Sequence, residues 1–270
     1  MKTSTAEQID LSLPSATVIG SQVWHYREVG STNDVCKDLA SAGAPEGCCV
    51  VADAQTGGRG RLGRPWFSPP GQGLYLSCLL RPALPPDSLP LCTLLAGGAT
   101  ARALAEATGA AVRLKWPNDL IVGEKKLGGI LTELLTPGGE PPAVIIGIGI
   151  NVTIPLETFP PELQTTSTSL LAATGRPFER PALLKAILLE LDSAYAAFQQ
   201  EGPGAVLEAW RVYGATLGER VRAETTDGTV EGEAVGLTDQ GHLVVRTGEG
   251  LEVPVITGDV VHLRGGGQPA

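Results

Sequence analysis

The chain has 270 residues, 43% of them hydrophobic, and carries a formal net charge of −9 at pH 7. That apolar share excludes wholesale disorder, and the acidic balance excludes a nucleic-acid backbone as the main partner, because phosphate neutralisation needs a basic face. No apolar run reaches the roughly 18 residues that span a bilayer, no signal peptide is apparent, and the five cysteines show no C-x-x-C spacing, so a cytoplasmic protein with free, buried thiols is expected.

Residues 1–20 are polar and weakly patterned, with room for one short strand. Residues 21–29 (SQVWHYREV) predict a strand, and Ser31 or Thr32 then opens a short helix to about residue 42, closed by Gly43 and Pro45. A buried strand over 48–54 (CCVVADA) leads into a glycine–arginine stretch, and 74–81 (LYLSCLLR) is the next strand. A long helix is predicted over 88–108, although Gly97 and Gly98 weaken its middle. Segments 112–116, 120–122, 127–134 and 143–152 form a run of strands, with a tight hairpin turn at 123–125. Residues 181–200 have helical apolar spacing, and Pro203 starts a further helix through Tyr213.

After Leu217 the pattern changes to short alternating segments at 220–223, 229–237, 242–246 and 252–256, separated by Asp-Gly, Gln-Gly and Gly-Glu-Gly turns. The expected organisation is an extension (1–20), an α+β unit (21–216) with helices on one side of a mixed, mostly antiparallel sheet, a small β unit (217–264) and a disordered tail (265–270).

The stretch 55–66 reads QTGGRGRLGRPW. Its glycines let backbone N–H groups approach and cradle an anion, and Arg59, Arg61 and Arg64 add forked donors suited to carboxylate and phosphate oxygens. No acidic residue occurs from Gln55 to Pro85, so this is a positive island in an acidic protein. It is neither a Walker loop nor a dinucleotide-binding fingerprint. On composition alone it could also be a solvated surface loop.

The heptad GRGRLGR at 58–64 resembles the signature of biotin–protein ligases, and further motifs follow in that family's order: STN at 31–33, KWPNDL at 115–120, KLGGIL at 126–131 with Glu133 close behind, and GIGINV at 147–152. The resemblance runs from about Val23 to Leu263. It implies a class II synthetase-like catalytic domain followed by an SH3-like β-barrel. The implied activity is activation of biotin by ATP to biotinyl-5′-adenylate, then transfer to a lysine of a biotin carboxyl carrier domain of a carboxylase.

The same resemblance implies the site. Ser31, Thr32, Asn33 and Gln55 would hold the biotin ring, although Ser31-x-x-Asp34 equally fits a helix capping box. Gly58, Arg59, Gly60 and Arg61 would close over biotin, with Arg59 and Arg61 clamping its carboxylate and later the α-phosphate, and the loop would order over bound ligand. Lys126 would reach the biotin carboxyl and the adenylate phosphate, and Lys115 the ATP phosphates. Trp116 would line the pocket, with Gly128, Gly129 and Gly147 giving the ring close approach to a strand. Asn118 and Asn151 would contact nucleotide. Asp119 would bind Mg²⁺ or orient the attacking amine. His25, His242 and His262 show no catalytic pattern.

Only about 20 residues precede the first strand predicted with a clear pattern, too few for the helix-turn-helix module of some family members. A monofunctional ligase without DNA binding or repressor activity is therefore expected. Exposed sheet edges admit a homodimer. The rival readings are a lipoate–protein ligase or octanoyl transferase, and a non-catalytic biotin or nucleotide sensor.

Overall fold

The computed structural model describes residues 6–82, 89–136, 142–225, 228–264 and 268–269. Eight strands form the larger sheet: β1 (Glu7–Ile9), β2 (Gln22–Val29), β3 (Cys48–Gln55), β4 (Gly73–Leu80), β5 (Val112–Lys115), β6 (Asp119–Val122), β7 (Lys125–Leu135) and β8 (Ala143–Asn151), in the order β1-β2-β3-β4-β8-β7-β6-β5. Only β2 and β3 run parallel; the other neighbours are antiparallel. Every residue of β4 is buried, and a strand covered on both faces reads as a continuous apolar run without alternation.

Among the described residues, five α-helices accompany the sheets: α1 (Thr32–Ser41), α2 (Leu89–Thr108), α3 (Leu170–Thr174), α4 (Arg180–Glu201) and α5 (Gly204–Tyr213). Residues of α2, α4 and α5, including Leu94, Leu104, Leu188 and Trp210, share one core with Val51, Leu76, Ile146 and Ile148 of the sheet. The expectation of helices on one side is corrected by α1, whose Cys36 and Ala40 pack with Cys48, Val50, Leu79 and Ile145 in a separate cluster. Those strand residues alternate with the ones facing α2, so α1 covers the opposite face. A parallel connection requires such a crossover.

The Gly97–Gly98 pair also has a packing reason. A Cβ on Gly98 would sit 3.0 Å from the Ala209 side chain, and one on Gly97 would meet Leu114 at 3.3 Å. The pair thus lets α2 lie close against α5 and β5. Ser88, the expected start of α2, lies outside the described residues.

The smaller sheet comprises β9 (Arg220–Thr225), β10 (Gly228–Leu237), β11 (Leu243–Thr247), β12 (Glu252–Val255), β13 (Asp259–Arg264) and β14 (Gln268–Pro269), in the order β12-β11-β10-β9-β13-β14. Strand β13 is absent from the sequence-based reading; it returns across the sheet to pair with β9, a long-range pairing that local pattern does not encode. Gln268–Pro269 pair with β13 instead of trailing as a disordered tail; residues 265–267 and 270 lie outside the described residues. So do residues 226–227, including the aspartate of the expected Asp-Gly turn.

The two sheets are tied together through β5. Residues 214–216 run beside it, with the Ala215 N–H donating to the Leu114 carbonyl at 2.7 Å. The Trp116 backbone N–H donates to Thr216 Oγ1 at 2.9 Å, and the indole N–H to the Gly241 carbonyl at 3.1 Å. Among the described residues, no helix is long and apolar enough to cross a membrane, and all five cysteines are free and buried.

Candidate functional site

One face of β8 shows how the site arises. Ala143 and Ile145 lie beneath α1; further along the same face come Gly147, Gly149 and Asn151, which line a cavity of about 870 Å³. The strand changes from apolar to side-chain-free where α1 begins. The space is used closely: a Cβ on Gly147 would fall 2.3 Å from Asn33 Oδ1, and one on Gly149 2.6 Å from the Trp66 indole nitrogen.

At one end the cavity is polar and uncharged. Gln55 Oε1 accepts hydrogen bonds from the Thr32 N–H (2.8 Å) and hydroxyl (3.1 Å), while Gln55 Nε2 donates to Ser68 Oγ at 3.1 Å. The Ser77 hydroxyl, fully buried, lies 2.8 Å from Thr32 Oγ1 and donates to Asn33 Oδ1 at 2.6 Å. Asn33 Nδ2 in turn donates to Glu133 Oε2 at 2.6 Å. Ser31 is the N-cap of α1, but its side chain makes no capping bond. The capping box is therefore not formed, and Ser31 borders the cavity.

The other end is cationic. The KWPND segment is a hairpin turn with a cis Trp116–Pro117 peptide, and it sets Lys115 opposite Asp119 in the β5–β6 pairing. Lys126, on β7, places its ammonium 2.7 Å from Asp119 Oδ1 and 5.6 Å from the centre of the Trp66 ring. Burial pulls the Lys115 ammonium and the Arg61 guanidinium below their ordinary pKa values, so an anion placed between them gains more than it would in water.

The glycine–arginine stretch is a hairpin whose course is set by protein groups. The Gly60 N–H donates to the Arg64 carbonyl at 2.7 Å, and the Trp66 N–H to the Gly58 carbonyl at 2.9 Å. Leu62, at its tip, has a positive φ of 56° and is exposed. Arg61 Nη1 donates to the Gly258 carbonyl at 3.1 Å and stands 3.8 Å from Asp259 Oδ1; Arg64 pairs with the same carboxylate. Arg59 points elsewhere, to Asp34 and Glu133.

Of the residues expected at the site, Ser31, Thr32, Asn33, Gln55, Arg59, Gly60, Arg61, Lys115, Trp116, Asn118, Asp119, Lys126, Gly129, Gly147 and Asn151 all border the cavity. Gly58 and Gly128 do not. A Cβ on Gly58 would meet Ser68 Oγ and Gln55 Nε2, and one on Gly128 would meet the Gly149 carbonyl at 2.6 Å. Both positions are therefore small because of protein packing. Two expected nucleotide contacts have protein partners: Asn118 Nδ2 donates to the Ile130 carbonyl and Asn151 Nδ2 to the Thr168 carbonyl, each at 2.9 Å. The Asn118 amide oxygen also accepts from Arg61 Nη1 at 3.5 Å.

Sequence reasoning missed Trp66, Ser77 and the wall formed by Phe67 and Phe159, whose ring centres are 5.9 Å apart. It also missed Asp259, Val260 and Val261 of β13, which bring the small sheet to the cavity. The motif boundaries exclude Ser77. Only the β4–β8 register, which sets Ser77 opposite Gly147, brings it behind Thr32 and Asn33, which border the cavity.

Residues 26–151 match the family model described as the biotin/lipoate A/B protein ligase family, and residues 216–263 match the biotin protein ligase C-terminal domain. The bifunctional ligase/repressor BirA of Bacillus subtilis is 39% identical over 235 residues, covering 87% of this chain and 72% of that protein. The biotin–acetyl-CoA-carboxylase ligase of Mycobacterium tuberculosis is 35% identical, covering 88% of this chain and 87% of the relative. Among solved structures, the biotin protein ligase of Aquifex aeolicus in complex with biotin and ATP superposes with a TM-score of 0.77 at 33% identity, over 89% of this chain and 98% of that one. With both sheets, the glycine–arginine hairpin and the KWPND turn in place, the chain belongs to the biotin/lipoate A/B protein ligase family, as a biotin protein ligase.

Proposed function

We propose that this chain activates biotin with ATP and transfers it to the acceptor lysine of a biotin carboxyl carrier domain. The observation that carries the reading is one cavity with an uncharged hydrogen-bonding end at Ser31, Thr32 and Gln55 and a cationic end at Arg61, Lys115 and Lys126. A ureido ring suits the first and a carboxylate joined to phosphate the second. The relatives' names and the bound molecules of the Aquifex structure point the same way.

In the first step a biotin carboxylate oxygen attacks the α-phosphorus of ATP, the bond to the bridging oxygen breaks, and pyrophosphate leaves with its electron pair. Arg61, Lys115 and Lys126 hold the negative charge that builds on the phosphoryl oxygens. In the second step a neutral lysine amine attacks the acyl carbon, AMP leaves and the amine loses a proton. Asp119, beside Lys126, would receive or direct that proton. No covalent enzyme intermediate is needed.

Mg²⁺ fits the donor set in a limited way. Among the described residues no cluster of three or more His, Cys, Asp or Glu could hold a metal alone, but magnesium commonly takes one or two carboxylates plus substrate phosphates. Asp119 would hold it, and the ion would neutralise phosphate charge there.

The five buried thiols suit a reducing cytoplasm, and the acidic balance disfavours DNA. The test uses ATP labelled at the α-phosphate. Biotin-dependent formation of a labelled acyl-adenylate with equimolar pyrophosphate is expected; pyrophosphate release indifferent to biotin would remove the proposal.

A further inference from the structure

The three motif arginines are not in equivalent positions. The two terminal nitrogens of Arg59 meet the two oxygens of Asp34 at 2.7 and 2.5 Å, and Nη2 also lies 3.3 Å from both oxygens of Glu133. Glu133 is itself anchored by Lys37 at 2.7 Å and Asn33 at 2.6 Å. Arg61 has one carbonyl at 3.1 Å, the Asn118 oxygen at 3.5 Å and its nearest carboxylate at 3.8 Å. A bidentate guanidinium–carboxylate pair satisfies the fork that a ligand carboxylate would need. Arg61 keeps that fork largely free.

We propose that Arg59 is a strut and not a ligand clamp: it pins the glycine–arginine hairpin to α1 through Asp34 and to β7 through Glu133, and Asp34 acts as a positioning residue for the cover over the site. The strut joins three segments far apart in sequence, namely the hairpin, the first turn of α1 and β7. Asp34 stands where a carboxylate is favoured by the α1 N-terminus, yet it turns to Arg59 instead of capping the helix. The Arg59 hydrogen bond also holds the Asp34 carboxyl below its ordinary pKa, as expected of a pair made within the protein. Anion binding then falls to Arg61, Lys115 and Lys126.

The inference rests on the proposed reaction only for its second readout. Limited trypsin digestion after Arg61, beside the exposed Leu62, needs no activity. Asp34→Asn and Arg59→Met should both speed cleavage there, by about two- to fivefold, the range a surface ion pair supports, and the double variant should add little. Both should also release the labelled acyl-adenylate faster, with biotin affinity falling in the same direction in each. A clamp predicts opposite signs: Asp34→Asn would free the guanidinium and tighten biotin binding, and Arg59→Met would weaken it. Opposite signs, or additive effects in the double variant, overturn the strut. Glu133→Gln, which keeps the shape of the side chain, repeats the test if Arg59→Met fails to fold. Matching proteolysis without any acyl-adenylate would leave the strut standing and reject the proposed reaction.

Discussion

The Lys126 ammonium lies 2.7 Å from the Asp119 carboxylate, between β7 and the KWPND turn. A phosphate entering the cavity must compete with this carboxylate for the same cation, so the pair sets both affinity and geometry. Lys126→Gln should lower kcat by about 100- to 1,000-fold, the usual cost of losing one group aimed at developing charge, with a smaller change in KM for ATP. Asp119→Asn should leave biotin binding within about threefold and slow transfer to the acceptor amine more than acyl-adenylate formation. Single-turnover kinetics of the two steps separate these effects. An Asp119→Asn enzyme slowed only in the first step would favour a phosphate-side role for this carboxylate.

Gly147→Ala should break the polar network from the ring end outward. The added methyl would need the place held by Asn33 Oδ1, 2.3 Å away, and displacing Asn33 costs its bonds to Ser77 and Glu133. Destabilisation of about 1–3 kcal/mol is expected, with biotin affinity lower by about tenfold or more. Urea unfolding and titration calorimetry measure the two. Unchanged values for both would mean that Asn33 can move freely.

Stability should fall in two stages on acidification. His262, on β13, is held below its usual pKa by burial and by the Lys115 charge, and its Nε2 lies 3.2 Å from Thr216 Oγ1. Asp34 is held low by the Arg59 hydrogen bond; for Glu133, burial acts against the shift but the hydrogen bonds from Lys37 and Asn33 prevail. In each case the folded protein resists a proton that the unfolded chain accepts. The contribution is complete above about pH 7, begins to be lost below the ordinary histidine value, and is lost further through the carboxylate range. His262→Gln, which keeps an acceptor for Thr216, should remove the first stage and leave the second. Denaturant midpoints measured from pH 8 to pH 3 decide this, and an unaltered first stage in the variant would assign it elsewhere.

Much of this site was legible because its parts are short and local. The GRGRLGR hairpin, the KWPND turn and the glycines of β8 each hold their chemistry within about seven residues, and most of their side chains border the cavity. What escaped is set by register and by crossings. Ser77 supports Thr32 and Asn33 through pairing of β4 with β8, Asp259 enters through return of β13 to β9, and Asp34 joins through a contact 25 residues away in sequence. Gly58 and Gly128 do not border the cavity, and a glycine that spares a ligand and one that spares a neighbouring side chain or carbonyl look alike in sequence. The position of α1 was misjudged for a related reason: Cys36 and Ala40 form a weak apolar stripe, and only the parallel pairing of β2 and β3 requires it to cross a face of the sheet.

The most direct measurement is the mass of an isolated biotin carboxyl carrier domain after incubation with this protein, biotin, ATP and Mg²⁺, with lipoate replacing biotin in parallel and Arg61→Ala as the variant control. The expected result is a single biotin increment on the acceptor that requires ATP, does not occur with lipoate, and falls by at least about 100-fold in rate in the variant. An increment with lipoate in place of biotin, or none with either despite measurable biotin binding, would contradict the assignment of Ser31, Thr32 and Gln55 to the biotin ring or of the cations to catalysis.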